Sequence, residues 1–95
     1  MKIPTQHIKQ LWALFAAIEN ENEAKSLMED LLTPQEVESI AERWQIIQLL
    51  DQGLPQREVA AKLNTSIAKI TRGSRVLQYG TGAFKTFLKK LQGGK

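Results

Sequence analysis

Ninety-five residues allow one domain but not a thick core, since a chain of this size buries only a little over ~60% of the surface its unfolded form exposes. The absence of cysteine excludes disulfides, thiolate chemistry and Cys-based zinc sites, and suits a reducing compartment. The formal charge of +3 conceals a division: residues 1–53 carry four Lys or Arg against nine Asp or Glu, a net −5, whereas residues 54–95 carry nine against Glu58 alone, a net +8.

Leu, Ala and Gln supply 30 of the 95 residues and Val only three, so propensity favours helix over strand throughout and predicts an all-α single domain of about six helices. Thr5 is placed to cap a first helix whose apolar positions, Ile8, Leu11, Trp12, Phe15 and Ile18, form one stripe. The apolar run from Leu11 to Ile18 is too short to span a bilayer, and His7 and Lys9 interrupt any signal-like approach to it, so no membrane partner and a cytoplasmic protein are expected. His7, the sole histidine, reads as a surface residue. A second helix, roughly Glu21 to Leu31, carries Ala24, Leu27, Met28 and Leu31 on one side.

The next boundary is the best signalled in the chain. Thr33 is an N-cap, Pro34 takes the first helical position, Glu36 completes a T-x-x-E capping box, and Leu32 is set to staple onto Val37. The helix should run to about Gln52, with Gly53 ending it. Val37, Ile40, Trp44 and Ile47 form one stripe, while Ile46, Leu49 and Leu50 add a second, leaving the helix apolar nearly all round. Such a helix must be buried on more than one side, which a thin domain cannot do alone; a homodimer is expected, with C2 symmetry the default.

From Gln56 to Ser74 the sequence QREVAAKLNTSIAKITRGS has the pattern of a helix-turn-helix, placed at about residues 55–79. Ala60 is small where a second helix crosses, Asn64 tolerates the left-handed backbone of the turn, and Ile70 plugs the angle between the helices. Pro55 opens a first helix ending at Leu63; a Thr65 or Ser66 hydroxyl caps a second, about Ile67 to Tyr79, with Ile70, Ser74 and Leu77 inward. The residues left outward, Gln56, Arg57, Ser66, Ile67, Ala68, Lys69, Thr71, Arg72 and Arg75, are the predicted face for double-stranded DNA. Small Ala68 permits close approach, Lys69 and Thr71 donate to base edges or phosphates, and Ile67 reaches a thymine methyl. The basic half of the chain contains this motif, as a phosphate-facing half would.

Gly80 is expected to supply a left-handed cap after that helix, and Thr81 to cap a last one with Phe84, Phe87, Leu88 and Leu91 on one stripe, as core or dimer interface. Lys85, Lys89, Lys90 and Lys95 read equally as a solvated basic tail, and Gly93, Gly94 and Lys95 should fray. An enzyme is excluded by one isolated His, no Cys and no Gly-rich phosphate loop. The rival class is a helical protein-interaction adaptor carrying the same motif, whose duplex binding would be weak or insensitive to salt.

The runs LLTPQE, AERWQII, PQRE and IAKITRGS resemble the tryptophan repressor family over roughly Leu27 to Leu91, ITRGS being the most specific of them. The resemblance implies an intertwined homodimer that represses from a palindromic operator, with L-tryptophan as corepressor and genes of tryptophan biosynthesis or transport as its subject. It also implies a ligand site. Arg43 and Arg72 match two arginines whose guanidinium planes sandwich the indole, Arg72 also holding the carboxylate; Gly73 leaves room beside the ring; Thr33 lies near the carboxylate; and the carbonyls of Leu31 and Leu32 accept from the ammonium. No other cofactor is implied. The chain departs from the pattern at Val76, where members that respond to tryptophan often carry a small polar residue, and in the segment Gln45 to Gln56, one residue short. LQYG and TGAF are similar instead to a second branch of related proteins, which leaves a tryptophan-independent regulator as the alternative.

Overall fold

The computed structural model describes residues 2–93, and helices are its only regular elements among them: α1 (Thr5–Ala16), α2 (Glu21–Leu31), α3 (Pro34–Asp51), α4 (Gln56–Leu63), α5 (Ile67–Tyr79) and α6 (Ala83–Leu91). They group into two compact units, Met1–Val37 and Glu38–Lys95. The predicted fraying of Gly94 and Lys95 lies outside the described residues.

In the first unit the N-cap of α1 lies one residue before the predicted one. Pro4, with φ −56° and ψ 137°, is the N-cap, and its carbonyl accepts from His7 N at 3.0 Å, so Thr5 is the first helical residue and no side chain caps the helix. A proline there loses nothing, because its missing N–H belongs to the set that a helix start leaves unpaired. The helix ends at Ala16, which puts Ile18 beyond it. Along its stripe Trp12 is 58% exposed, with the Phe15 ring tilted against it at 6.3 Å. Asn20 caps α2, its Oδ1 accepting from Glu23 N at 2.9 Å, while Glu23 Oε1 accepts from Glu19 N at 2.9 Å. The predicted capping box opens α3: Thr33 Oγ1 accepts from Glu36 N at 3.1 Å and Glu36 Oε1 from Thr33 N at 2.8 Å.

The second unit holds the core. Ile46 and Leu49 of α3, Val59 of α4 and Ile70 of α5 form a buried cluster, flanked by Leu50, Leu54, Ala60 and Leu63. Val59 and Ile70 are fully enclosed, which is the plugging role expected of Ile70. Gly53 ends α3 at φ +92°, with Leu54 N donating to Leu49 O at 3.3 Å. The end of α4 at Leu63 and the limits of α5 agree with the sequence reading, but Pro55, expected to open α4, stands outside it as N-cap, with Gln56 the first helical residue. Asn64 takes the left-handed conformation, φ 51° and ψ 52°, and is the sole non-glycine with positive φ among the described residues. Of the two hydroxyls in the turn it is Ser66 that caps α5, accepting from Lys69 N at 3.4 Å.

The last turn corrects the sequence reading. Gly80 is not a left-handed cap: it is extended, with φ −77° and ψ −158°. Glycine is needed there for close approach, since a Cβ would stand 2.5 Å from the Val76 carbonyl oxygen. The left-handed residue is Gly82, at φ +91°, and it rather than Thr81 is the N-cap of α6; Thr81 acts one position earlier, its hydroxyl accepting from Ala83 N at 3.3 Å. The α6 stripe divides: Leu88 is buried and Phe84 lies against Trp44 of α3 at 6.0 Å, while Phe87 and Leu91 face outward. No described helix is long and apolar enough to cross a membrane.

Candidate nucleic-acid interface and adjoining pocket

The tight turn at Asn64 sets α5 across α4 with its first turns facing outward. Arg57, Ser66, Ile67, Ala68, Lys69, Thr71, Arg72 and Arg75 are all exposed, and Gln56 is half-buried. All nine lie on α4, on α5 or at the turn between them, and Lys69 and Arg72 also line the cavity described next. Gln56 has a visible structural task, because its Oε1 accepts from Thr71 Oγ1 at 3.0 Å and so ties the start of α4 to α5. Ile67 leaves half its surface open at the tip of α5.

Behind α5 lies a cavity of about 250 Å³, lined by α3 through Ser39, Glu42, Arg43, Ile46 and Ile47, by α5 through Lys69, Arg72, Gly73 and Val76, and by Phe84 of α6. The α3 positions fall at helical spacing on one face. Gly73 sets the separation of the walls: a Cβ on it would lie 2.9 Å from Ile46 Cγ2 and 3.6 Å from Ile47 Cδ1. Three predicted ligand residues, Arg43, Arg72 and Gly73, thus line one cavity, together with the apolar Ile46, Ile47, Val76 and Phe84. Leu31, Leu32 and Thr33 belong to the first unit, where Leu31 ends α2 and the Thr33 hydroxyl is engaged in its capping box.

Sequence reasoning places Val76 beside the pocket but does not name Ser39, Glu42, Ile46, Ile47, Lys69 or Phe84 as ligand-site residues. Ser39 and Glu42 flank Arg43 on α3, and their signal was the i, i+3, i+4 spacing around that arginine; Val76 follows Gly73 by three on α5. Phe84 packs against Trp44, as its stripe predicts, and it also lines the cavity. Glu42 brings a cross-helix ion pair, its Oε1 3.0 Å from Lys69 Nζ.

A basic helix-turn-helix in an all-helical chain, backed by a small cavity under its second helix, defines a DNA-binding regulator of transcription. The Trp repressor protein family model matches residues 6–92, and the chain belongs to that family, a regulatory and DNA-binding one rather than an enzyme family. The chain is 46% identical over 72 residues to the Trp operon repressor homolog of Mannheimia succiniciproducens, covering 75% of this chain and 71% of that protein. With the Trp operon repressor homolog of Chlamydia trachomatis serovar L2 it shares 38% identity over 84 residues, or 83% of this chain and 89% of the other. Among solved structures it is similar to a TrpR like protein from Eubacterium eligens, with a TM-score of 0.86 at 26% identity over 96% of this chain and 94% of that one.

Proposed function

We propose that the chain is a cytoplasmic transcriptional repressor that binds a palindromic operator as a homodimer and takes L-tryptophan as corepressor, governing genes of tryptophan biosynthesis or transport. The observation that carries this reading is the meeting of Arg43, Arg72 and Gly73 around one cavity directly behind the exposed face of α5. Guanidinium planes stack on an indole as ammonium groups do not, and one of them is free to hold a carboxylate. The volume of about 250 Å³ lies just below the ~300–1,000 Å³ usual for drug-sized ligands, the scale of a single amino acid. A ligand wedged under α5 would fix the tilt at which two such helices enter successive major grooves ~34 Å apart, and so favour the DNA-binding orientation.

The exposed apolar side chains of Trp12, Ile40, Phe87 and Leu91 support a second copy of the chain as the cover for surface left open here. One observation favours another reading of the same cavity. Val76 makes an apolar wall where tryptophan-responsive relatives often carry a polar residue, which suits a regulator whose effector is not tryptophan. Calorimetric titration of L-tryptophan into the purified protein, with L-tyrosine as control, separates the two. Saturation near one ligand per chain, lost in Arg72→Ala, is the expected result; no heat at millimolar tryptophan would favour the second reading.

A further inference from the structure

The ion pair between Glu42 and Lys69 joins residues 27 positions apart, on α3 and α5, and both line the cavity. The other ion pair among the described residues, Lys25–Glu29, lies within one helix at an i, i+4 spacing on an open surface. Among the described residues Glu42 is the one carboxylate lining the cavity, against three cations, Arg43, Lys69 and Arg72. A guanidinium or ammonium group cannot accept a hydrogen bond. An amino acid entering this space therefore finds ample partners for its carboxylate and, among the lining residues, Glu42 as the anionic acceptor for its ammonium and Ser39 as a neutral one; Leu31 and Leu32, whose carbonyls the family resemblance gives to that ammonium, are not among those lining residues.

The register of the two helices places that acceptor. Glu42 stands opposite Lys69, and four residues further along each helix Ile46 stands opposite Gly73. Four residues of helix, a rise of about 6 Å, separate the ion pair from the floor on which a ring would rest. That is the scale of the reach from an aromatic ring to the α-ammonium of the same amino acid. Lys69 lies on the first turn of α5, within the surface read above as the DNA face, and its pairing cancels a positive charge there.

We propose that Glu42 is the cavity's acceptor for the ligand ammonium and that, in its absence, Glu42 holds Lys69 away from DNA. The arriving ammonium takes the same carboxylate, and Lys69 is released toward a phosphate. The exchange replaces one ammonium by another at Glu42, and the Lys69 side chain is already 59% exposed, so the restraint is of the weak, surface kind that a ligand can displace. The first half of the proposal rests on reading the cavity as an amino-acid site; the restraint on Lys69 does not.

The test compares binding to a random-sequence DNA duplex as salt is varied, for the wild type, Glu42→Gln, Lys69→Gln and the double variant. Each phosphate contact adds about 0.9 to the magnitude of the log–log salt slope. Without ligand, Glu42→Gln should steepen the slope by about that amount, and the double variant should match Lys69→Gln. Adding L-tryptophan should steepen the wild-type slope and leave Glu42→Gln unchanged. By calorimetry, Glu42→Gln should weaken L-tryptophan about tenfold while leaving indole-3-propionate, the same ring and carboxylate without the amine, unaffected. A Glu42→Gln slope equal to wild type overturns the restraint, and equal weakening of both ligands overturns the ammonium contact. If the wild type binds neither ligand, the corepressor reading and the ammonium contact fall together, while the ligand-free slopes still decide the restraint.

Discussion

Replacing Gly73 by alanine tests how tightly α5 is set against α3. The added methyl would lie 2.9 Å from Ile46 Cγ2, with Ile47 Cδ1 at 3.6 Å and Leu50 Cδ1 at 3.8 Å. Ile46 cannot easily yield, because Cγ2 is fixed to a β-branched carbon and the residue is 2% exposed. The helices must therefore part. Overpacking of this kind costs about 1–3 kcal/mol, against which alanine in a helix interior gains about 1 kcal/mol over glycine. The net expectation is a loss of about 0–2 kcal/mol, read as a lower urea midpoint at unchanged m. A double-mutant cycle sharpens the test. Ile46→Ala alone should cost about 2–5 kcal/mol, but in that background Gly73→Ala should become stabilising, by the helix-propensity gain of about 1 kcal/mol. Equal stabilisation by Gly73→Ala in both backgrounds would show that the close approach at Ile46 does not set the cavity wall.

Other positions give simpler expectations. Asn64→Ala should destabilise by about 1 kcal/mol, because a Cβ-bearing residue without a local polar group is strained at φ 51°, whereas Asn64→Gly should be neutral or better; equal effects in thermal melts would remove backbone strain as the reason for asparagine. Thr33→Ala should lose about 1 kcal/mol from the broken capping box, and Glu36→Ala should add little once Thr33 is gone, which chemical denaturation of the single and double variants checks. At Gly80 the clash is with backbone oxygen at 2.5 Å, so Gly80→Ala should shift the α5–α6 connection and destabilise despite the negative φ; an unchanged melting temperature would contradict the close approach.

The parts of this fold legible in the sequence are those where local chemistry leaves few choices. T-x-x-E with a following proline declares the start of α3 from four residues, and Asn64 with Ser66 declares the turn between α4 and α5. Glycine was read less well at the α5–α6 junction, because two different needs select the same residue: Gly82 supplies a positive φ and Gly80 only the absence of a Cβ. Sequence alone does not separate these. The start of α1 was misplaced by one residue because a threonine competes with a proline for the same role, and the proline carbonyl prevailed. Arg43, Arg72 and Gly73 could be named through a family resemblance and lie together at the cavity. The place of Glu42 on the same face as Arg43 follows from helical spacing, but its pairing with Lys69 does not, since the partner is 27 residues away and nothing local in either helix announces it.

The measurement that bears most directly on the function is the affinity for DNA with and without L-tryptophan at one fixed salt concentration, using duplexes selected from a random pool by the tryptophan-loaded protein. The account predicts an inverted repeat whose half-sites lie about one helical turn apart, bound about 5–150-fold more tightly when tryptophan is present. Equal affinity in both conditions, on whatever sequence is selected, would contradict the claim that the cavity behind α5 governs the reading face in front of it.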